Sequence, residues 1–100
     1  MSPSDFNVVI AQGVQVTTGA ASAAQAIPND ASGQRAKFVR VSAKATAYIQ
    51  PGASTVTATT ASILINASEA IYLNVLGMTH IAHLQETAAT IVNITPLEVG

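Results

Sequence analysis

From Ala36 to Gln50 the chain reads AKFVRVSAKATAYIQ, and its side chains alternate. Val39, Val41, Ala43, Ala45, Ala47 and Ile49 fall on one parity. Phe38, Arg40, Ser42, Lys44, Thr46, Tyr48 and Gln50 fall on the other. Successive side chains of an extended backbone point to opposite sides, so this period of two predicts one long strand with a buried face. The small alanines on the inward parity predict close approach of another chain segment. Composition points the same way: Val, Ile and Thr together number 30, against 5 Leu. Stiff β-branched side chains favour strands over helices.

Other stretches read as shorter strands separated by turn signals. Phe6–Val16 (FNVVIAQGVQV) is a strand with a bulge or bend at Gly13. GAASAAQAI has helical propensity but no large apolar residues at helical spacing to hold it on a core, so Ala23–Ile27 is expected as a short strand ended by Pro28. Asn29–Gln34 is dense in turn formers and predicts an exposed loop. Pro51-Gly52 suits the centre of a type II turn, and Thr55–Thr59 a short strand. Ser62–Asn66 is apolar without clean alternation, and Asn66–Glu69 is turn-like. Ala70–Leu76 alternates again, with Ile71, Leu73 and Val75 opposite Tyr72 and Asn74, until Gly77 breaks it. Thr79–Gln85 and Thr90–Thr95 are two further strands, the last stopped by Pro96. About seven or eight short strands and no crossover helix predict an all-β fold, an antiparallel β-sandwich or small barrel.

One hundred residues suit a single domain, 1–100, with 1–7 as an extended N-terminal arm. Only 9% of residues are charged, well below the usual quarter, so the surface is either covered by Ser, Thr, Asn and Gln or hidden against partners. No apolar run reaches the roughly 18 residues of a spanning helix, and MSPSDFNVVI lacks the basic and apolar regions of a secretory signal. With no cysteine there is no disulfide and no thiolate metal ligand. A net charge of −1 gives no general case for nucleic-acid or membrane binding.

Signals for chemistry are sparse. His80 and His83 have an odd offset, which on a strand sends them to opposite faces, and no acid cluster supplies further ligands. They read as ordinary strand histidines, one of them half-buried. Asp5, Asp30, Glu69, Glu86 and Glu98 are scattered, and neither a phosphate loop nor a Gly-x-Ser-x-Gly elbow occurs. Neither an enzyme nor a cofactor or metal site is expected. Asn66-Ala67-Ser68 and Asn93-Ile94-Thr95 match the glycosylation pattern by chance in a Ser/Thr-rich chain. The one concentrated feature is basic: Arg35, Lys37, Arg40 and Lys44 are the only cations and lie within ten positions. Arg40 and Lys44 share the outward parity with Phe38 and Tyr48. Such a stripe either keeps a solvent face wet or docks on an acidic partner.

The order SAAQAIP, AKFVRVSA, TAYIQPG, TVTATTASILINASEAIYLNVLG and THIAHLQETAATIVNITPLEV resembles a loose group of small virion proteins from tailed bacteriophages. The matching motifs are the VRVS strand start, the Ala47-Tyr48-Ile49 strand end before a Gly-containing turn, and the acid before an aromatic strand at Glu69-Ala70-Ile71-Tyr72. The closing THIA strand and VNIT ending complete them. The likeness covers roughly residues 22–99; Gln50-Pro51-Gly52 departs from it, where relatives have an aromatic beside the Gly.

The resemblance implies a jelly-roll-like β-sandwich that acts by position on a particle, with no active site to carry over. The implied function is a capsid cement or decoration protein, made in the host bacterial cytoplasm and seated on the capsid surface. It would bind the major capsid protein and copies of itself, as a homodimer or homotrimer, with neither membrane nor direct nucleic-acid contact. A tail, head–tail adaptor or fibre part is the alternative within that group. A small carbohydrate- or peptide-binding module is the alternative of another class. The residues expected at a partner interface are Phe38, Arg40, Lys44, Tyr48 and Tyr72, with the arm Ser2–Asn7.

Overall fold

A computed structural model describes residues 8–10 and 13–99, with side-chain surroundings given for 13–97. The expected N-terminal arm lies outside the described residues. The strands are β1 (Val8–Ile10), β2 (Val14–Thr17), β3 (Ala23–Ala26), β4 (Phe38–Ala43), β5 (Ala47–Gly52), β6 (Ile63–Ile65), β7 (Ala70–Asn74), β8 (His80–Gln85) and β9 (Ile91–Val99). One sheet runs β1-β9-β4-β7, with β2 also on β9; the other runs β3-β8-β5-β6. Every pairing is antiparallel. The described chain is thus an all-β, antiparallel sandwich.

Its topology is that of a long hairpin rolled up. Val14 pairs with Ile94, Ala23 with His83, Phe38 with Asn74 and Ala47 with Ile65. The midpoint of each pair falls between residues 53 and 56. Side-by-side pairing of β4 with β9 and of β5 with β8 closes the roll. This is jelly-roll connectivity.

One core lies between the sheets. Val39, Val41 and Ala43 of β4 and Val92 and Ile94 of β9 meet Ala47, Ile49, Ile65 and Ile81 of the other sheet in a single buried cluster. Each fully buried Val or Ile contributes about 1.5–3 kcal/mol of apolar burial. The turn signals hold at 29–34, where the Asp30 carboxylate accepts from Ser32 Oγ (2.7 Å), Ser32 N (3.0 Å) and Gln34 N (3.0 Å). These bonds, the Ser32 hydroxyl first, hold its carboxyl below the usual carboxylate range.

The expected single strand from Ala36 to Gln50 is two strands in different sheets. A corner at Lys44–Thr46 separates β4 from β5. Fifteen extended residues would span about 50 Å, too long for one layer of so small a chain. The inward parity survives the corner: Val39, Val41, Ala43, Ala47 and Ile49 are all buried, and only Ala45, in the corner, is exposed. Thr90 fixes the bend, its Oγ1 accepting from Ala45 N (2.9 Å), while Lys44 N donates to Ile91 O (3.0 Å).

Three more expectations are corrected. Pro51-Gly52 is not a turn but the end of β5, and Gly52 O accepts from Thr79 N (3.1 Å). Alternation then turns the Pro51 nitrogen the other way, past the end of β6, where no ladder bond is lost. Thr55–Thr59 is not a strand: β5 already has β8 and β6 as neighbours, so its β-branched residues find no ladder and form a loop. That loop is tied down by Ala58 N donating to Ser22 Oγ (2.8 Å).

Pro96 does not stop the last strand, which continues to Val99. Between the pairs Ile10↔Leu97 and Val14↔Ile94 the register advances by one residue, the signature of a bulge. Thr18 N donates to Thr90 O (2.8 Å), so even-numbered residues of β9 face the β1–β2 side. The proline nitrogen therefore points to the stretch between the β1 and β2 ladders, outside the pairs of either. Gly13 also belongs to this junction: a Cβ there would lie 2.5 Å from Ile94 O.

Candidate docking face

Phe38 and Arg40 alternate with the buried Val39 and Val41, which sends them to the outer face of the first sheet. Tyr72 on β7 pairs directly with Arg40, and Thr95 on β9 flanks Arg40 on the other side. Tyr72 is 68% exposed and Phe38 40%. Lys44 sits at the end of the same face, in the corner after β4. Four of the five expected interface residues are thus brought onto one surface.

Tyr48 is not among them. It lies on β5, across from Leu64 and Leu84, on the outer face of the opposite sheet. The corner at Lys44–Thr46 separates the stripe that the sequence reads as continuous. Arg35 and Lys37 are exposed just before β4.

Beside Arg40 the face dips into a shallow, open cleft of about 450 Å³. Arg40 and Lys44 supply its charge, Gln15, Ser42 and Asn93 its amides and hydroxyl, and Ile91 its apolar wall. Ser42 faces Asn93, and Asn93 faces Gln15, so three adjacent strands build one polar row. The sequence carries no signal for Gln15 or Asn93, because only the pairing of β2, β9 and β4 brings them to Arg40. The row offers fixed hydrogen-bond donors next to two cations. That chemistry suits a carboxylate on a partner surface.

The histidines part as the odd offset predicts. His80 is half-buried on the outer face, its Nδ1 2.8 Å from Thr79 Oγ1. His83 pairs with Ile49 on the core side and is 6% exposed. Its Nδ1 is buried without a hydrogen-bond partner, and burial pushes the imidazole below its usual value. Among the described residues no three His, Cys, Asp or Glu side chains gather as metal ligands, and no helix is long and apolar enough to cross a membrane. Compared with protein-family models, curated proteins and solved structures, the chain matches none of them.

Proposed function

We propose that this chain is a structural virion protein of a tailed bacteriophage, a capsid cement or decoration subunit that binds across joints between capsid subunits. The observation that carries the proposal is the gathering of Phe38, Arg40, Lys44 and Tyr72 on one outer face of the sandwich. Jelly rolls recur in viral shells and in lectin-type domains, a likeness of fold that supports position-dependent roles without naming one. The mechanism is area burial: a standard interface covers roughly 1,600 Å², and repetition over a lattice turns modest contacts into avidity. The partners are the major capsid protein and further copies of this chain, and the subunit acts on the capsid surface without catalysis.

The test is the copy number per purified particle and the heat resistance of particles lacking the protein. Many ordered copies and earlier leakage of the deficient particles are expected. A few copies at one vertex would favour a tail, adaptor or fibre part instead, and a protein free of particles would end the proposal. The cleft beside Arg40 favours a second reading, a small carbohydrate- or peptide-binding module. A glycan or peptide array without hits would remove it.

A further inference from the structure

Among the described residues, four of the five large exposed hydrophobic side chains lie between residues 63 and 76: Ile63 at 37%, Leu64 at 47%, Tyr72 at 68% and Leu76 at 67%. They belong to β6 and β7 or follow them directly, and β6 and β7 are the last strands of their two sheets on the same side of the sandwich. The strands themselves, ILI and AIYLN, carry no charge. The opposite edge strand, β3, presents only Ala and Gln. Natural edges are usually blunted by charge, proline or a bulge, and β7 has none of these.

The backbone of β7 says what would cover it. Val75 N donates to Lys37 O (2.7 Å), so the odd-numbered residues of β7 bond inward to β4. The N–H and C=O groups of Ala70, Tyr72 and Asn74 therefore point outward, and among the described residues no strand pairs with them. An open row of alternating donors and acceptors is matched by another extended strand.

We propose that this strand is β7 of a second copy, paired antiparallel about a two-fold axis at Tyr72. In that register Tyr72 faces the partner's Tyr72, and Ala70 faces the partner's Asn74. Each is a hydrogen-bonded pair exchanging both N–H···O bonds. Residues on the axis of such an isologous contact meet themselves, so a charge there would repel its own copy. Tyrosine at the axis and an uncharged strand around it satisfy that condition. Glu69 lies three residues from the axis, which keeps the two copies' carboxylates apart. The exposed Ile63, Leu64 and Leu76 extend the contact beyond the strand itself. The first sheet becomes continuous across two subunits, with Arg40 and Phe38 of both copies on one face. The inference is independent of the virion assignment.

The test uses the isolated full chain. Sedimentation over a dilution series reports a monomer–dimer equilibrium. The double variant Leu64→Lys/Tyr72→Lys weakens it at least about tenfold while the circular dichroism stays unchanged, since both side chains are already exposed. The chain has no native cysteine, so single cysteines map the register. Oxidised Tyr72→Cys gives a covalent dimer, because facing Cα atoms at about 5.5 Å suit a disulfide. Ala70→Cys alone and Asn74→Cys alone do not, whereas the two mixed together do. A monomer at every concentration overturns the proposal, as does a dimer that survives the lysine variant. A covalent dimer from Ala70→Cys alone overturns the register. If the lysine variant misfolds, the cysteine series alone decides.

Discussion

Arg40 stands directly across from Tyr72 in a non-hydrogen-bonded position of the β4–β7 ladder. The Val75–Lys37 bond fixes that assignment, since hydrogen-bonded and non-hydrogen-bonded pairs alternate along an antiparallel ladder. Side chains approach most closely at such positions, with Cα atoms about 4.5 Å apart. Arg40 and Tyr72 are therefore cross-strand neighbours on the outer face, and Arg40 and Lys44 border the cleft beside them.

Charge reversal tests this face. Arg40→Glu/Lys44→Glu should abolish binding to capsids in co-sedimentation, while stability stays within about 0.5 kcal/mol, as for ordinary surface changes. Binding by the unmodified protein should weaken with salt, because exposed charges are screened. Tyr48→Ala, on the opposite face, should leave capsid binding unchanged.

Thr90 joins three elements. Its Oγ1 accepts from Ala45 N (2.9 Å) at the corner, and its own N–H donates to Thr18 Oγ1 (2.9 Å) at the end of β2. Thr90→Val keeps the shape but removes the acceptor, leaving the part-buried Ala45 N–H unpaired. Urea unfolding should show a loss of about 0.5–1.5 kcal/mol, since the exposed corner lets water take part of the freed bond. Thr90→Ser, which keeps the hydroxyl, should lose less.

His83 makes stability depend on pH with a defined sign. The usual imidazole value is 6.5, and burial lowers it in the folded chain. Below 6.5 the unfolded chain takes up a proton that the native state resists, so unfolding is favoured. The contribution of His83 is thus whole above pH 6.5 and shrinks as pH falls from there towards the lowered native value. His83→Leu should remove this dependence between pH 7.5 and 5. At pH 7.5 it should be nearly neutral or stabilising, because it also removes the unpartnered Nδ1. Urea midpoints of both proteins at each pH give the difference.

Gly13 has no room for a methyl group. A Cβ would lie 2.5 Å from Ile94 O and 3.0 Å from Thr95 Cα, both backbone atoms that cannot swing aside. Gly13→Ala should cost about 1–3 kcal/mol in chemical denaturation, as overpacking does. The loss should concentrate in faster exchange of the amides pairing β2 with β9.

Alternation in the sequence was enough to mark Val39, Val41, Ala43, Ala47, Ile49 and Val75 as buried, since they obey parity whichever sheet they join, whereas β8 buries Ile81, Ala82 and His83 in succession, which alternation does not foretell. The corner at Lys44–Thr46 was hidden because the parity is the same on both sides of it. Prolines misled for a related reason. Pro51 and Pro96 lie within strands, each turning its nitrogen beyond the paired residues of the neighbouring ladders, and that place is known only once the neighbours are. The docking face was half legible. Phe38, Arg40 and Tyr72 stand out as exposed parity positions, but Tyr48 shares their parity and not their sheet. Gln15 and Asn93 reach the cleft through contacts between strands more than seventy residues apart in sequence.

The common midpoint of the strand pairs also sets the order in which the chain can find its shape. Closing β5 on β6 encloses only the short segment between Ile49 and Ile63, whereas bringing β2 to β9 encloses almost the whole chain. Loop-closure entropy favours the short closure first, and each inner pair shortens the loop that the next one must close. Loop closure thus favours assembly outward from the 53–62 loop, with the β1–β9 pair the most costly to close first. With nearly all strand contacts non-local, folding belongs to the slow, millisecond-to-second class of β-sandwiches.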